Sequence, residues 1–202
     1  FNNLVSIKGG FEINGGYESL LTEITGFTAL QTITGQLSIQ YHPNLLSITD
    51  FAALSTSGGI DISYNEKLTA FPAFPSLTSV GGGLSLSGNN ALIAYPPFAN
   101  IESVQGTIYF SDHNSLTQMP EFASLKSVNG SLQISWNDSL TQIPEFASLK
   151  VLNGTLRIEG NYKLVAMNGF TALNKVNGYL NIYYNQQMEH FDGLDGVEEV
   201  GG

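Results

Sequence analysis

Tyr41, Tyr64, Trp136 and Tyr184 are the side chains of this sequence best suited to recognition. A large ring recurs there in one register, and each precedes a histidine or asparagine: His42, Asn65, Asn137 and Asn185. Aromatic rings on a rigid scaffold offer broad apolar contact with a polar tip, the chemistry of sugar- and protein-binding surfaces. The same register holds Gly88, Asp112 and Gly160 elsewhere. Tyr109, Tyr179 and Tyr183 fall on positions expected to face outward from the extended stretches before it. Tyr179, Tyr183 and Tyr184 are expected to meet Arg157 from the neighbouring segment. These eight residues are the candidate binding set. The competing reading is that the rings pack over the edge of the scaffold.

Catalytic chemistry has little support. His42 and His113 occupy asparagine positions of a repeat, and only His190 stands apart. There is no G-x-S-x-G, H-E-x-x-H or C-x-x-C. Paired carboxylates for glycoside cleavage remain open to the sequence. Gly81-Gly82-Gly83 reads as a turn, not a phosphate loop. The acidic tail, Glu189, Asp192, Asp195, Glu198 and Glu199, lacks the spacing of a calcium loop and is read as a solvated face without a Lys or Arg partner. The expectation is a non-enzyme with no cofactor and no bound metal.

Seven Lys and Arg stand against 17 Asp and Glu, a net charge of −10. That disfavours nucleic acid, which needs a basic stripe, and an anionic membrane surface. There is no cysteine, and no apolar run of the roughly 18 residues needed to cross a bilayer. The chain opens on Phe with no signal peptide, so it reads as a processed or excised segment.

These residues must be positioned by a repeat. Phe27, Phe51, Phe74, Phe98, Phe122, Phe146 and Phe170 are spaced by 23 or 24 residues, with Phe1 before them and Leu194 after. Counting Phe122 as position 1, the unit reads F-x-x-L-x-x-V-x-G-x-L-x-I-x-x-N-x-x-L-x-x-I-P-x. Two extra residues lie around Asn14-Gly15-Gly16, and one is missing before Gly58-Gly59. The aromatic register is position 15. Position 16 reads His42, Asn65, Asn89, His113, Asn137, Asn161 and Asn185. An asparagine ladder is expected there, because a side-chain amide both donates and accepts.

G-x-L-x-I alternates as a half-buried strand does. The other apolar positions are three apart but never run long enough for a helix before Gly, Asn or Pro, so they read as tight-turning edges. Each unit is then one coil, unable to bury its own apolar residues except by stacking. The prediction is an all-β, right-handed single-stranded β-helix of about eight 24-residue coils over 1–202, with a partial ninth from Leu194. At about 4.8 Å per coil the stack is roughly 40 Å long. Neither end shows a polar cap, so the chain reads as part of a longer array or as a unit that stacks end to end.

The unit G-x-L-x-I-x-x-N-x-x-L, with two residues between Asn and Leu as in Asn137-Asp138-Ser139-Leu140, resembles the repeat of receptor L domains. These are the ligand-contacting extracellular domains of insulin and epidermal growth factor receptors, related to leucine-rich repeats and found also in fungal cell-wall and bacterial surface proteins. The resemblance spans the chain and implies a right-handed β-helix in an extracellular setting. The irregular turns and flanking cysteines of the receptor domains are absent here.

The remaining outward positions are small and polar: Ser38, Ser63, Ser85, Ser87, Ser111, Ser131, Ser135, Thr107 and Thr155. A flat face of this kind suits self-association or ice binding, although Thr69, Thr117 and Thr141 form only a broken threonine rank. Asn129, Asn137 and Asn153 match N-x-[ST]. Asn137 is expected inside, leaving Asn129 and Asn153 as glycosylation candidates. The functional expectation is a secreted or cell-surface module that binds protein or glycan, in adhesion. The alternatives are a self-assembling block of a fibre, sheath or surface layer, and an ice-binding face.

Overall fold

A computed structural model describes residues 1–49 and 51–202. It is a β-solenoid of about eight coils, nearly all β, with two short 3-10 turns at Asn168–Phe170 and Asp192–Leu194. Every strand pair is parallel. The stretch G-x-L-x-I forms the main wall, in which Leu84–Ser87, Ile108–Ser111, Leu132–Ser135, Leu156–Glu159 and Leu180–Tyr183 stack one coil apart. Two-residue strands such as Ser103–Val104, Ser127–Val128 and Val151–Leu152 form a second wall. Bridges linking Ala94, Gln118, Gln142, Ala166 and His190 mark a third.

The irregular units are absorbed locally. Phe11 pairs with Leu37 across the two-residue insertion. The missing residue of the third unit becomes a register shift between Ile33 and Gln36, beside Gly35 and Gly58. Position 9 has its own requirement. A Cβ built on Gly106, Gly130, Gly154 or Gly178 would lie 2.5–2.8 Å from the backbone of the neighbouring coil, closer than real Cβ atoms come. Only glycine lets the walls meet at that corner.

Inside, the Phe positions form a continuous aromatic column. Ring centroids from Phe1 through Phe170 are 5.2–5.9 Å apart, and all seven pairs are stacked. The three-residue spacing from Phe to Leu is a tight turn, closed by the Leu N–H donating to the Phe carbonyl, as in Leu125 to Phe122 at 3.2 Å and Leu149 to Phe146 at 3.0 Å. Leucine, valine and isoleucine columns fill the rest of the core. No helix is long and apolar enough to cross a membrane among the described residues.

Candidate functional site

The main wall ends at position 15, where the chain turns sharply. All seven residues there adopt the left-handed conformation: Tyr41, Tyr64, Gly88, Asp112, Trp136, Gly160 and Tyr184 have φ between 56° and 65°. Glycine and aspartate are the residues this conformation tolerates best. A tyrosine or tryptophan there carries strain of about 1–2 kcal/mol. The rings nevertheless stand out from the surface, with Tyr41 46%, Tyr64 43%, Trp136 37% and Tyr184 67% exposed.

The rings are also ordered along the stack. Tyr41 and Tyr64 lie parallel, centroids 5.2 Å apart. Tyr64 then leans over Gly88, and Trp136 leans over Gly160; a Cβ at either glycine would come within 2.6 Å of the ring before it. Glycine at those coils therefore opens the space that the preceding ring uses. Tyr162 meets Trp136 edge-on at 6.1 Å.

Beside the first pair lies a shallow cleft of about 130 Å³, lined by Tyr17, Tyr41, Pro43, Tyr64 and Glu66. Burial raises the Tyr64 phenol above its ordinary pKa, and the charges of Asp112, Tyr41, Tyr109 and Asp61 raise it further. Asp61 is also raised, chiefly by burial, against hydrogen bonds from Ser63 and Ser85 that lower it. Tyr109 thus contributes to the electrostatics of the Tyr64 cluster from its place on the main wall.

At the other end of the ridge, Arg157 lies over the Tyr183 ring, 5.4 Å from its centroid, and Tyr183 meets Tyr184 edge-on at 5.3 Å. The guanidinium is committed to Glu159: Nε donates to Oε2 at 2.7 Å and Nη2 to the same oxygen. The Tyr183 phenol also bonds Glu159. Glu159 is a buried carboxylate, standing in a column otherwise rich in serine, and Arg157 neutralises it. This group closes on itself instead of presenting an open cation. Tyr179 is not part of it. It precedes the strand Leu180–Tyr183, so about 13 Å of extended chain separates it from Tyr183, and its ring lies against Gly202.

Behind the ridge runs the position-16 ladder. The oxygens of Asn65, Asn89, Asn161 and Asn185 each accept the backbone N–H of the previous coil's ladder residue, that of Asn137 accepts from the His113 ring instead, and each amide donates to a carbonyl of the wall. Asn161 shows both, receiving from Asn137 N–H at 3.1 Å and donating to Ile134 at 2.9 Å. Asn65, Asn89 and Asn185 follow the pattern. His42 donates from Nε2 to Ile13 at 2.9 Å and accepts from Ser19 at Nδ1, 2.7 Å away. His113 bonds Tyr95 and Asn137. The Tyr95 contact had no signal in the sequence, because Tyr95 occupies an ordinary core position.

Two further sequence expectations are corrected. Ser38, Ser63, Ser87, Ser111 and Ser135 are buried. Just before position 15 the sharp turn that follows encloses the short side chains, and the hydroxyls close on one another, as Ser111 does on Ser87 at 3.1 Å. Ser85, Ser131, Thr107 and Thr155 are half-buried, so the hydroxyls of the wall do not form one open rank. The acidic tail does have a partner, since Lys175 pairs with Glu199 at 2.9 Å. The glycosylation candidates belong to an exposed amide ladder, with Asn153 donating to Asn129 at 2.8 Å and Asn177 to Asn153 at 2.9 Å. Among the described residues no three His, Asp or Glu gather where a metal could be held. No family model, curated protein or solved structure matches this chain.

Proposed function

We propose that this solenoid is a non-catalytic carbohydrate-binding module of the receptor L-domain type, working in adhesion at a cell surface or outside the cell. The observation that carries the reading is the ridge at position 15. Four of seven equivalent residues are aromatic in a conformation where glycine would be free of strain, and all four remain exposed. Rings retained against strain on a rigid edge are suited to contact with a partner. Sugar rings stack on such faces, and the polar surroundings of Tyr64, with Asp61 and Asp112 near, supply acceptors for sugar hydroxyls. The ridge runs along the solenoid axis, so an extended glycan laid on it meets Tyr64 and Trp136 three coils apart, about 14 Å.

The test exploits the backbone. Tyr64→Gly and Trp136→Gly remove the rings and relieve about 1 kcal/mol of left-handed strain each. The expected outcome on a glycan array and in polysaccharide pull-downs is that the parent chain binds and the variants do not, while melting temperatures stay within a few degrees. Glycine variants that melt far below the parent would assign the rings to packing instead. Failure of the parent chain to bind any glycan would end the carbohydrate reading.

A further inference from the structure

We infer that the cleft between Tyr17, Tyr41 and Tyr64 is a site for an organic cation, an alkylammonium group of the choline type. The inference does not depend on the carbohydrate reading. Tyr17, Tyr41 and Tyr64 line the cleft together with Pro43 and Glu66. The ring quadrupole attracts a cation over its face, most strongly one that is weakly hydrated.

The loop that carries Tyr17 is fastened to the next coil. Ser19 bonds His42 at 2.7 Å, and its carbonyl accepts the Asn44 side-chain amide at 2.9 Å. Tyr17 itself stays 97% exposed, so its ring is free to close over a ligand without rearranging the coil. The surroundings carry negative charge. Glu66 is in the lining, and the charges of Asp61 and Asp112 reach the Tyr64 phenol. Lys67, adjacent to Glu66, donates to the Asn44 side-chain oxygen at 2.8 Å. A hard metal ion needs a set of converging oxygen ligands, and among the described residues no group of three acidic or histidine side chains gathers. Aromatic faces with a carboxylate rim instead fit a soft cation bearing methyl groups.

The experiment is a titration with choline, followed by NMR of the tyrosine ring protons, alongside its uncharged isostere 3,3-dimethylbutan-1-ol. Choline is expected to shift Tyr17, Tyr41 and Tyr64 saturably, with the isostere at least about tenfold weaker. Tyr64→Gly is expected to abolish the shifts at Tyr41, and Glu66→Gln to weaken binding several-fold. Equal binding of the two compounds would show an apolar cleft and overturn the proposal. Absence of any shift from choline in the parent chain, with the fold confirmed by its amide spectrum, would also overturn it. Glycan capture is a separate readout, so either proposal can fail while the other stands.

Discussion

His113 stands where five other coils carry asparagine, and its surroundings fix its tautomer. The Asn137 side-chain oxygen can only accept, so His113 Nδ1 carries the proton, 2.9 Å away. Nε2 then accepts from the Tyr95 hydroxyl at 2.6 Å, whose oxygen in turn accepts from Asn89 at 3.2 Å. Protonating Nε2 would turn the Tyr95 hydroxyl away from its acceptor inside the core. Burial accordingly lowers the His113 pKa from 6.5 to about 4, outweighing the bond to Asn137. The unfolded chain takes up this proton first as pH falls. Stability is therefore full above about pH 6.5 and declines down to about pH 4, by about 3 kcal/mol from this group. Urea denaturation at intervals across that range should show the decline, and His113→Asn should flatten it. A parent and variant with identical pH profiles would contradict this account. The histidine was visible in the sequence as a substitution within the ladder. Its coupling to Tyr95 was not, because nothing in a one-dimensional repeat says which core residue reaches across the coil.

At the scale of the element, the asparagine ladder links one coil to the next. Asn161→Ala would leave the Asn137 N–H and the Ile134 carbonyl without their partners, each a buried group worth roughly 1–3 kcal/mol when unsatisfied. A loss of about 2–4 kcal/mol in chemical denaturation is expected. Asn161→Asp keeps the acceptor but buries a carboxylate with one oxygen against the Ile134 carbonyl, so it should destabilise at least as much as the alanine variant. The strands themselves were legible, because G-x-L-x-I alternates with the period of the pleat, and the turn from Phe to Leu was legible as an edge too short for a helix. The sequence did not reveal that position 15 is left-handed in the seven coils from Tyr41 to Tyr184. Gly88, Asp112 and Gly160 carry that signal, since glycine and aspartate both tolerate positive φ, but the aromatic residues at the same position conceal it. The burial of the position-14 serines was hidden for a related reason. Strict alternation places them outside, and only the turn that follows encloses them.

For the whole molecule, stability is close to a sum of coils and their interfaces. Phe122 sits inside the aromatic column, stacked on Phe98 at 5.3 Å and Phe146 at 5.5 Å, and is fully buried. Phe122→Ala should cost about 3–5 kcal/mol. It should also uncouple the two halves, which would appear as a shallower urea transition with a lower apparent m-value. A transition that moves without broadening would mean the coils are coupled by their walls more than by the column. The architecture was the most legible property of all, because a 24-residue spacing of Phe leaves few other ways to bury it.

The uniform backbone at position 15 has one more implication. Ring, aspartate or glycine, each of the seven residues there holds φ within 56–65°, so the path of the backbone is the same whichever side chain it carries. The ridge therefore behaves as a line of type set at a fixed pitch, in which a letter that leans over the next place, as Tyr64 does over Gly88 and Trp136 over Gly160, needs that place left blank. Related chains could diverge in what they grip by exchanging single letters along that line, while every coil beneath stays the same.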